Sequence, residues 1–226
     1  MNDLWLRLSR WRFARRDIRE PLKHLMVAEL PPAATRFEDA ELVALDIETT
    51  GLDASTAEML SVGWVVLRRG RVDLESAESH IVRPSGGVGS SASVHGLTDT
   101  MVETGQDRSL VIDRIVKVLT GRVLLVHHAD LDKRLLDRLC HEQFGAPLLV
   151  PVVDTLALER RRQQRRHHVD EKHSLRLSEL RDAYHLPRYN AHDSLVDAIA
   201  TAELLIAMVA HNDGTKTTRL RDLLTS

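Results

Sequence analysis

Asp46 and Glu48 stand two residues apart in a run of strand-forming residues. Side chains alternate faces along a strand, so both carboxylates point to one side, beside the turn Thr49-Thr50-Gly51. Adjacent carboxylates repel, and a divalent cation removes that cost. Ligands that are all oxygen select a hard ion such as Mg²⁺ or Mn²⁺. A second acid follows in His127-His128-Ala129-Asp130-Leu131-Asp132, which leaves an apolar strand and opens a helix. Helix phase separates its two aspartates. Asp132 leads the line Leu135, Leu136, Leu139 that must face the core, whereas Asp130 leads toward Lys133 and Arg134 on the wet side and suits an N-cap. An acid on a buried face needs a partner, and a metal is one; a capping carboxylate with no chemistry is the alternative. His192 and Asp197 are five apart, which on one helix leaves them roughly 140° out of phase. If the helix begins near Asp193 or Ser194, His192 lies on the loop before it and can reach a site to which Asp197 contributes from the first turn. An imidazole there suits proton abstraction from an attacking water, although a single histidine at such a junction is more often structural.

The elements that must hold these groups are legible in outline. Strand patterns at 42–46, 59–67 and 72–82, with a turn at Arg69-Gly70, describe a three-strand antiparallel meander. Helical patterns at 108–119 and 129–143 then alternate with apolar strands at 123–126 and 149–153, which implies parallel additions to the sheet. Further helices are expected at 156–166, 175–184 and 194–210. The reading is α/β: a mixed five-stranded sheet, three antiparallel strands then parallel additions, flanked by helices.

Residues 1–35 read as a basic amphipathic extension and linker. Leu4, Leu8 and Trp11 recur at helical spacing among arginines, and Pro31-Pro32 break the pattern. This extension could pack on its own domain or dock to a protein partner, a membrane surface or nucleic acid. Residues 36–212 form the catalytic domain and 213–226 a C-terminal tail. No apolar run is long enough to span a bilayer. Cys140 is the only cysteine, which excludes an intrachain disulfide and fits a reducing cytoplasm. The net charge of −2 does not advertise a nucleic-acid binder, but carboxylates gathered for cations lower the sum while a local basic rim can still bind. Such a rim is offered by Arg160, Arg161, Arg162, Arg165 and Arg166, followed by His167 and His168. A solvated helix face is the plainer reading of that run.

Taken together, Leu45-Asp46-Ile47-Glu48-Thr49-Thr50-Gly51-Leu52, Val94-His95-Gly96-Leu97-Thr98, His127-x-Ala129-x-Leu131-Asp132, Asp154-Thr155 and His192-x4-Asp197 resemble the DEDDh exonucleases. The likeness is particularly to the proofreading epsilon subunit of bacterial DNA polymerase III and its stand-alone relatives. It covers about residues 41–210. It implies an RNase H-like sheet, two divalent cations (Mg²⁺ or Mn²⁺), and release of nucleoside 5′-monophosphates from a 3′ end. By this resemblance Asp46 bridges both metals, Glu48 and Asp197 complete the site for the attacking water, Asp132 supports the second metal and His192 is the general base. Thr49, Thr50, Gly51 and Leu52, with His95 and His127, would bind the substrate. The family usually has Asn and Phe where this chain has His128 and Leu131, and losing an aromatic face removes a stacking surface worth about 1–3 kcal/mol.

Single-stranded DNA 3′ ends are therefore the expected substrate, with a 3′-to-5′ exoribonuclease of the RNase T or oligoribonuclease kind as the rival. A nucleic-acid or partner-binding module without turnover is the reading from another class. Its signature, a missing ligand, is not present.

Overall fold

A computed structural model of the chain describes residues 3–84, 101, 104–165, 175–190, 192–211 and 217–225. The meander forms as β1 (Leu42–Thr49), β2 (Met59–Arg68) and β3 (Arg71–Ile81). The β2–β3 turn is made by Arg69 and Gly70, both at positive φ (53° and 67°), a region that costs glycine nothing. β4 (Val123–Val126) and β5 (Val152–Asp154) then add in parallel, giving the order β3-β2-β1-β4-β5. The expected fold class is the one observed. β5 is shorter than the apolar run at 149–153 because Pro151 has no N–H to give a ladder. Its carbonyl still accepts from Leu124 N at 2.9 Å, and pairing begins at Val152.

Two helical layers cover the sheet. Alternation along β1 sends Val43, Leu45 and Ile47 to one core with Val62, Trp64, Leu124 and Val126, and sends Leu42 and Ala44 to the other with Val65, Leu67 and Leu125. The first core is closed by α1 (Asp3–Ala14), α2 (Leu22–Val27), α3 (Arg108–Leu119) and α4 (Ala129–Phe144). The second is closed by α7 (Ser194–Ala210) and the one-turn α8 (Leu220–Leu223), with Phe37. α5 (Thr155–Arg165) and α6 (Leu177–Ala183) lean on α7 through a small cluster around Leu180, Leu204 and Met208.

Asp46 and Glu48 share the face of Leu42 and Ala44, which is the α7 face. β1 pairs with β4 only at Leu42, Val43 and Ala44. Beyond Ala44 the two parallel strands part company, and the β1 carboxylates stand at the open carboxyl end of the sheet, where α/β folds place ligands. Across the ladder Asp46 faces Gly63 and Glu48 faces Ser61. A Cβ on Gly63 would lie 2.2 Å from the backbone nitrogen of Leu195, so only glycine lets the first turn of α7 rest there. Ser61 and Ser194 join the same contact, Oγ to Oγ at 3.2 Å.

The N-terminal segment turns its more apolar row outward. α1 forms, but Leu4, Leu8 and Trp11 are 63%, 53% and 54% exposed, and the residues it buries are Leu6 and Arg10. Arg10 wins that place by saturating carbonyls: its guanidinium donates to the oxygens of Leu25, Met26, Ala28 and Leu149. Burial, with Arg7 nearby, lowers Arg10 to about 10, still well above neutral pH.

Candidate active site

Three elements deliver the four acids of the site. Asp46 and Glu48 come from β1, Asp132 from the first turn of α4 and Asp197 from the first turn of α7. α7 begins at Ser194, as the five-residue spacing required, because Asp193 caps it by accepting from Leu195 N (3.0 Å) and Val196 N (3.1 Å). His192 therefore lies on the preceding loop, at φ 73°, and its backbone N–H donates to Asp197 Oδ2 at 2.9 Å.

Carboxylate oxygens of Asp46, Glu48 and Asp197 come within 4.8 Å of one another. Burial first, then the charges of Asp132, Asp197, Glu48 and Asp193, raise the Asp46 carboxyl well above its ordinary range. Asp132 is pushed up to about 8, by burial first and then by Glu48 and Asp154. Asp197 is raised by burial, against the N–H and the charge of His192, which pull it down. Clustered carboxyls whose burial and mutual repulsion disfavour the charged form are the donor set a hard divalent cation fits, since its charge offsets theirs. The residues present thus suit the metal chemistry expected of them.

Asp130 is not the α4 cap. Its side chain is 81% exposed, while Asp154, from the end of β5, receives the N–H groups of His128 and Ala129, both at 3.0 Å. The same Asp154 carboxylate also accepts from Leu156 N and Ala157 N at the start of α5. One buried carboxylate thereby ties together the starts of two helices, which lets His128, at φ 72°, turn the chain from β4 into α4. In the sequence, the only signal of this role is an aspartate at a strand end before a helix.

Two cavities are lined by residues that adjoin these acids in the sequence, and the second includes Asp197 itself. One, of about 650 Å³, is lined by Leu52, Asp53, Ala54, His128, Leu131 and Arg134, among others. Leu52 stands 91% exposed at it. The loop beneath is braced: Thr49 Oγ1 donates to the Gly51 carbonyl (2.7 Å), Thr50 Oγ1 accepts from Glu58 N (2.9 Å), and Arg138 on α4 donates to the carbonyls of Ala54 and Ala57. Open space surrounds the position a Cβ would take on Gly51. The second cavity, about 720 Å³, is lined by His127, Arg160, Arg176, Arg188, Tyr189, His192 and Asp197, among others. His127 has both ring nitrogens engaged, Nδ1 with Thr155 Oγ1 at 2.8 Å and Nε2 with the Leu175 carbonyl at 3.0 Å. Since that carbonyl can only accept, Nε2 carries the proton. Burial lowers the pKa of His127.

Within the arginine run the structure divides the labour. Arg160 lines the second cavity, whereas Arg161 holds the carbonyls of Leu223 and Leu224, and Arg162 holds Tyr184 Oη and the His211 carbonyl. His95 and its neighbours from Val94 to Thr98, like Arg166, His167 and His168, lie outside the described residues.

The architecture is that of solved exonucleases. E. coli exonuclease I in complex with a dT13 oligonucleotide superposes with TM-score 0.65 at 17% identity over 76% of this chain and 41% of that one. Exonuclease X in complex with 5′ overhanging duplex DNA gives 0.58 at 22% identity over 80% and 98%. The family model described as Exonuclease, of the RNase T type, matches residues 43–205, and the chain belongs to this exonuclease family. Among curated relatives, the PolC-type DNA polymerase III of Thermotoga petrophila is 29% identical over 175 residues, 76% of this chain but only 12% of that protein. The DNA polymerase III subunit epsilon-like protein of Rhodobacter capsulatus is 30% identical over 78% of this chain and 25% of its own length. The DNA polymerase III subunit epsilon of Treponema pallidum is 28% identical over 77% and 79%.

Proposed function

We propose that this chain hydrolyses terminal phosphodiesters from the 3′ end of single-stranded DNA, releasing nucleoside 5′-monophosphates. The observation that carries this reading is the convergence of Asp46, Glu48 and Asp197 within 4.8 Å, with Asp132 acting electrostatically on Asp46 and His192 on the adjoining loop. Asp46, Glu48, Asp132 and Asp197 would hold two divalent cations, Mg²⁺ or Mn²⁺. When bound, such a pair supplies the positive charge that stabilises the attacking and leaving oxygens of an in-line displacement.

The chain's own groups do the rest. His192 takes the proton of the attacking water as its oxygen bonds to phosphorus, and the bond from phosphorus to the 3′-oxygen of the preceding nucleotide breaks. That 3′-oxygen gains a proton from solvent. Leu52 and the braced backbone from Thr49 to Gly51 receive the terminal nucleoside, helped by His95. The arginine-lined cavity beside His192 suits the negatively charged strand behind it. DNA is favoured over RNA because the relatives are components of DNA polymerases and the solved neighbours hold DNA.

Matched 5′-labelled DNA and RNA oligomers test the reading. A ladder that shortens from the 3′ end on DNA with Mg²⁺ or Mn²⁺ is expected, and the His192→Ala variant should be slower by about 10²- to 10⁴-fold. Faster digestion of the RNA would reassign the substrate, and no digestion of either by the wild-type protein would reject the activity.

A further inference from the structure

α1 is docked by one face and displays the other. Leu6 and Arg10 are buried at 4% and 3%, and Phe13 and Ala14 pack against the core. The opposite side carries Leu4, Leu8 and Trp11 in one row at helical spacing, continued by Arg15, with Trp5 and Arg12 in the next row. Leu4, Trp5, Leu8 and Trp11 are all more than half exposed. The core does not use them, and a cluster of large apolar side chains on an otherwise charged helix calls for a partner.

The surroundings specify its chemistry. From Leu4 to Arg16 the sequence has no acidic residue, and Arg7, Arg12, Arg15 and Arg16 are exposed. The Arg15 guanidinium lies 3.7 Å from the centre of the Trp11 ring. A partner must therefore be apolar where it meets leucine and indole, and anionic at the edge. The exposed parts of the four side chains amount to on the order of 400 Å², about half of what each partner of a stable protein complex buries. A nucleic acid satisfies the arginines but leaves the leucines in water, and Arg15 already covers one face of Trp11. An interfacial helix has this make-up: leucine and tryptophan reach the acyl boundary while arginines meet lipid phosphates. No helix among the described residues is long and apolar enough to cross a membrane, so contact would be with the surface alone.

We propose that the outer face of α1 binds the surface of an anionic lipid bilayer, through Leu4, Trp5, Leu8 and Trp11 with Arg7, Arg12 and Arg15 around them. This surface is separate from the carboxylate site and does not depend on the reaction assigned to it.

The test is co-sedimentation of the full chain with phosphatidylcholine vesicles and with mixed phosphatidylcholine and phosphatidylglycerol vesicles, alongside tryptophan fluorescence. Trp64 is fully buried and gives a constant background, so a blue shift reports Trp5 and Trp11. Binding is expected to the phosphatidylglycerol vesicles only, to weaken with salt, and to fall about tenfold or more in Trp5→Gln/Trp11→Gln and in Arg12→Gln/Arg15→Gln. These exposed changes should leave the melting temperature and nuclease activity unaltered, which separates lost binding from lost folding. The proposal is overturned if the wild-type chain ignores anionic vesicles or if the variants bind them equally well. It is also overturned if the tryptophan change appears with an oligonucleotide, or with rising protein concentration, and not with vesicles.

Discussion

At the residue scale, Asp46 is a half-buried carboxyl facing the charges of Asp132, Asp197, Glu48 and Asp193. Asp46→Asn removes an anionic ligand without changing shape, so hydrolysis should fall by about 10³-fold or more while the fold persists. Equal activity in the variant would show that this cluster is not where the reaction occurs. The same burial predicts a pH dependence of stability. Asp132 titrates near 8 in the folded chain and in the ordinary carboxylate range when unfolded, so the folded state binds more protons between those limits. Stability of the metal-free protein is then full below about pH 4 as far as this group is concerned and is lost as pH rises through about 8. Melting temperature without divalent ions should fall from mildly acid to mildly alkaline pH, recover with Mg²⁺, and change less in Asp132→Asn. A rise with pH would contradict the account. Asp132 could be told from Asp130 in the sequence because helix phase is a short-range property. The capping role of Asp154 could not, since its N–H partners on His128 and Ala129 arrive from a distant part of the chain.

At the element scale, the site depends on how closely α7 approaches β2. Gly63 is the position that permits it, and Gly63→Ala would push the start of α7 away from Asp46 and Glu48. The expected cost is about 3 kcal/mol of stability, together with loss of activity out of proportion to it. Urea melts and rate measurements on one preparation would separate the two, and unchanged activity would mean that the contact does not position Asp197. Strand and helix spans were largely legible, since β1 to β4 and α3, α4 and α7 carry their periods and turn residues in the local sequence. Gly63 within an apolar strand was not read as a site element, because glycine there becomes meaningful only when α7 is known to lie across it. The α1 helix was legible as a helix, and its facing, which the sequence leaves open, is set by tertiary contacts. Leu4, Leu8 and Trp11 form the more apolar row, yet Arg10 takes the inner side because four backbone carbonyls await it.

At the scale of the whole molecule, residues 3–30 share a hydrophobic core with the sheet: Leu6, Ile18, Leu22, Leu25, Met26 and Leu30 join Val43, Leu45, Leu135 and Leu139. Arg10→Met should leave several buried carbonyls without donors, each worth about 1–3 kcal/mol, and lower the melting temperature far more than Arg12→Met on the exposed side. Similar melting temperatures for the two would refute the clamp. The cores on either face of the sheet hold together the fold of the exonuclease family, with its acidic metal-binding cluster at the open end of β1. The most direct test is digestion of a 5′-labelled single-stranded oligonucleotide by the wild-type chain and by Asp46→Asn, with Mg²⁺ or Mn²⁺ and again with EDTA. A ladder shortening from the 3′ end only for the wild type with metal is the predicted result; a ladder that persists in EDTA or in the variant would contradict it.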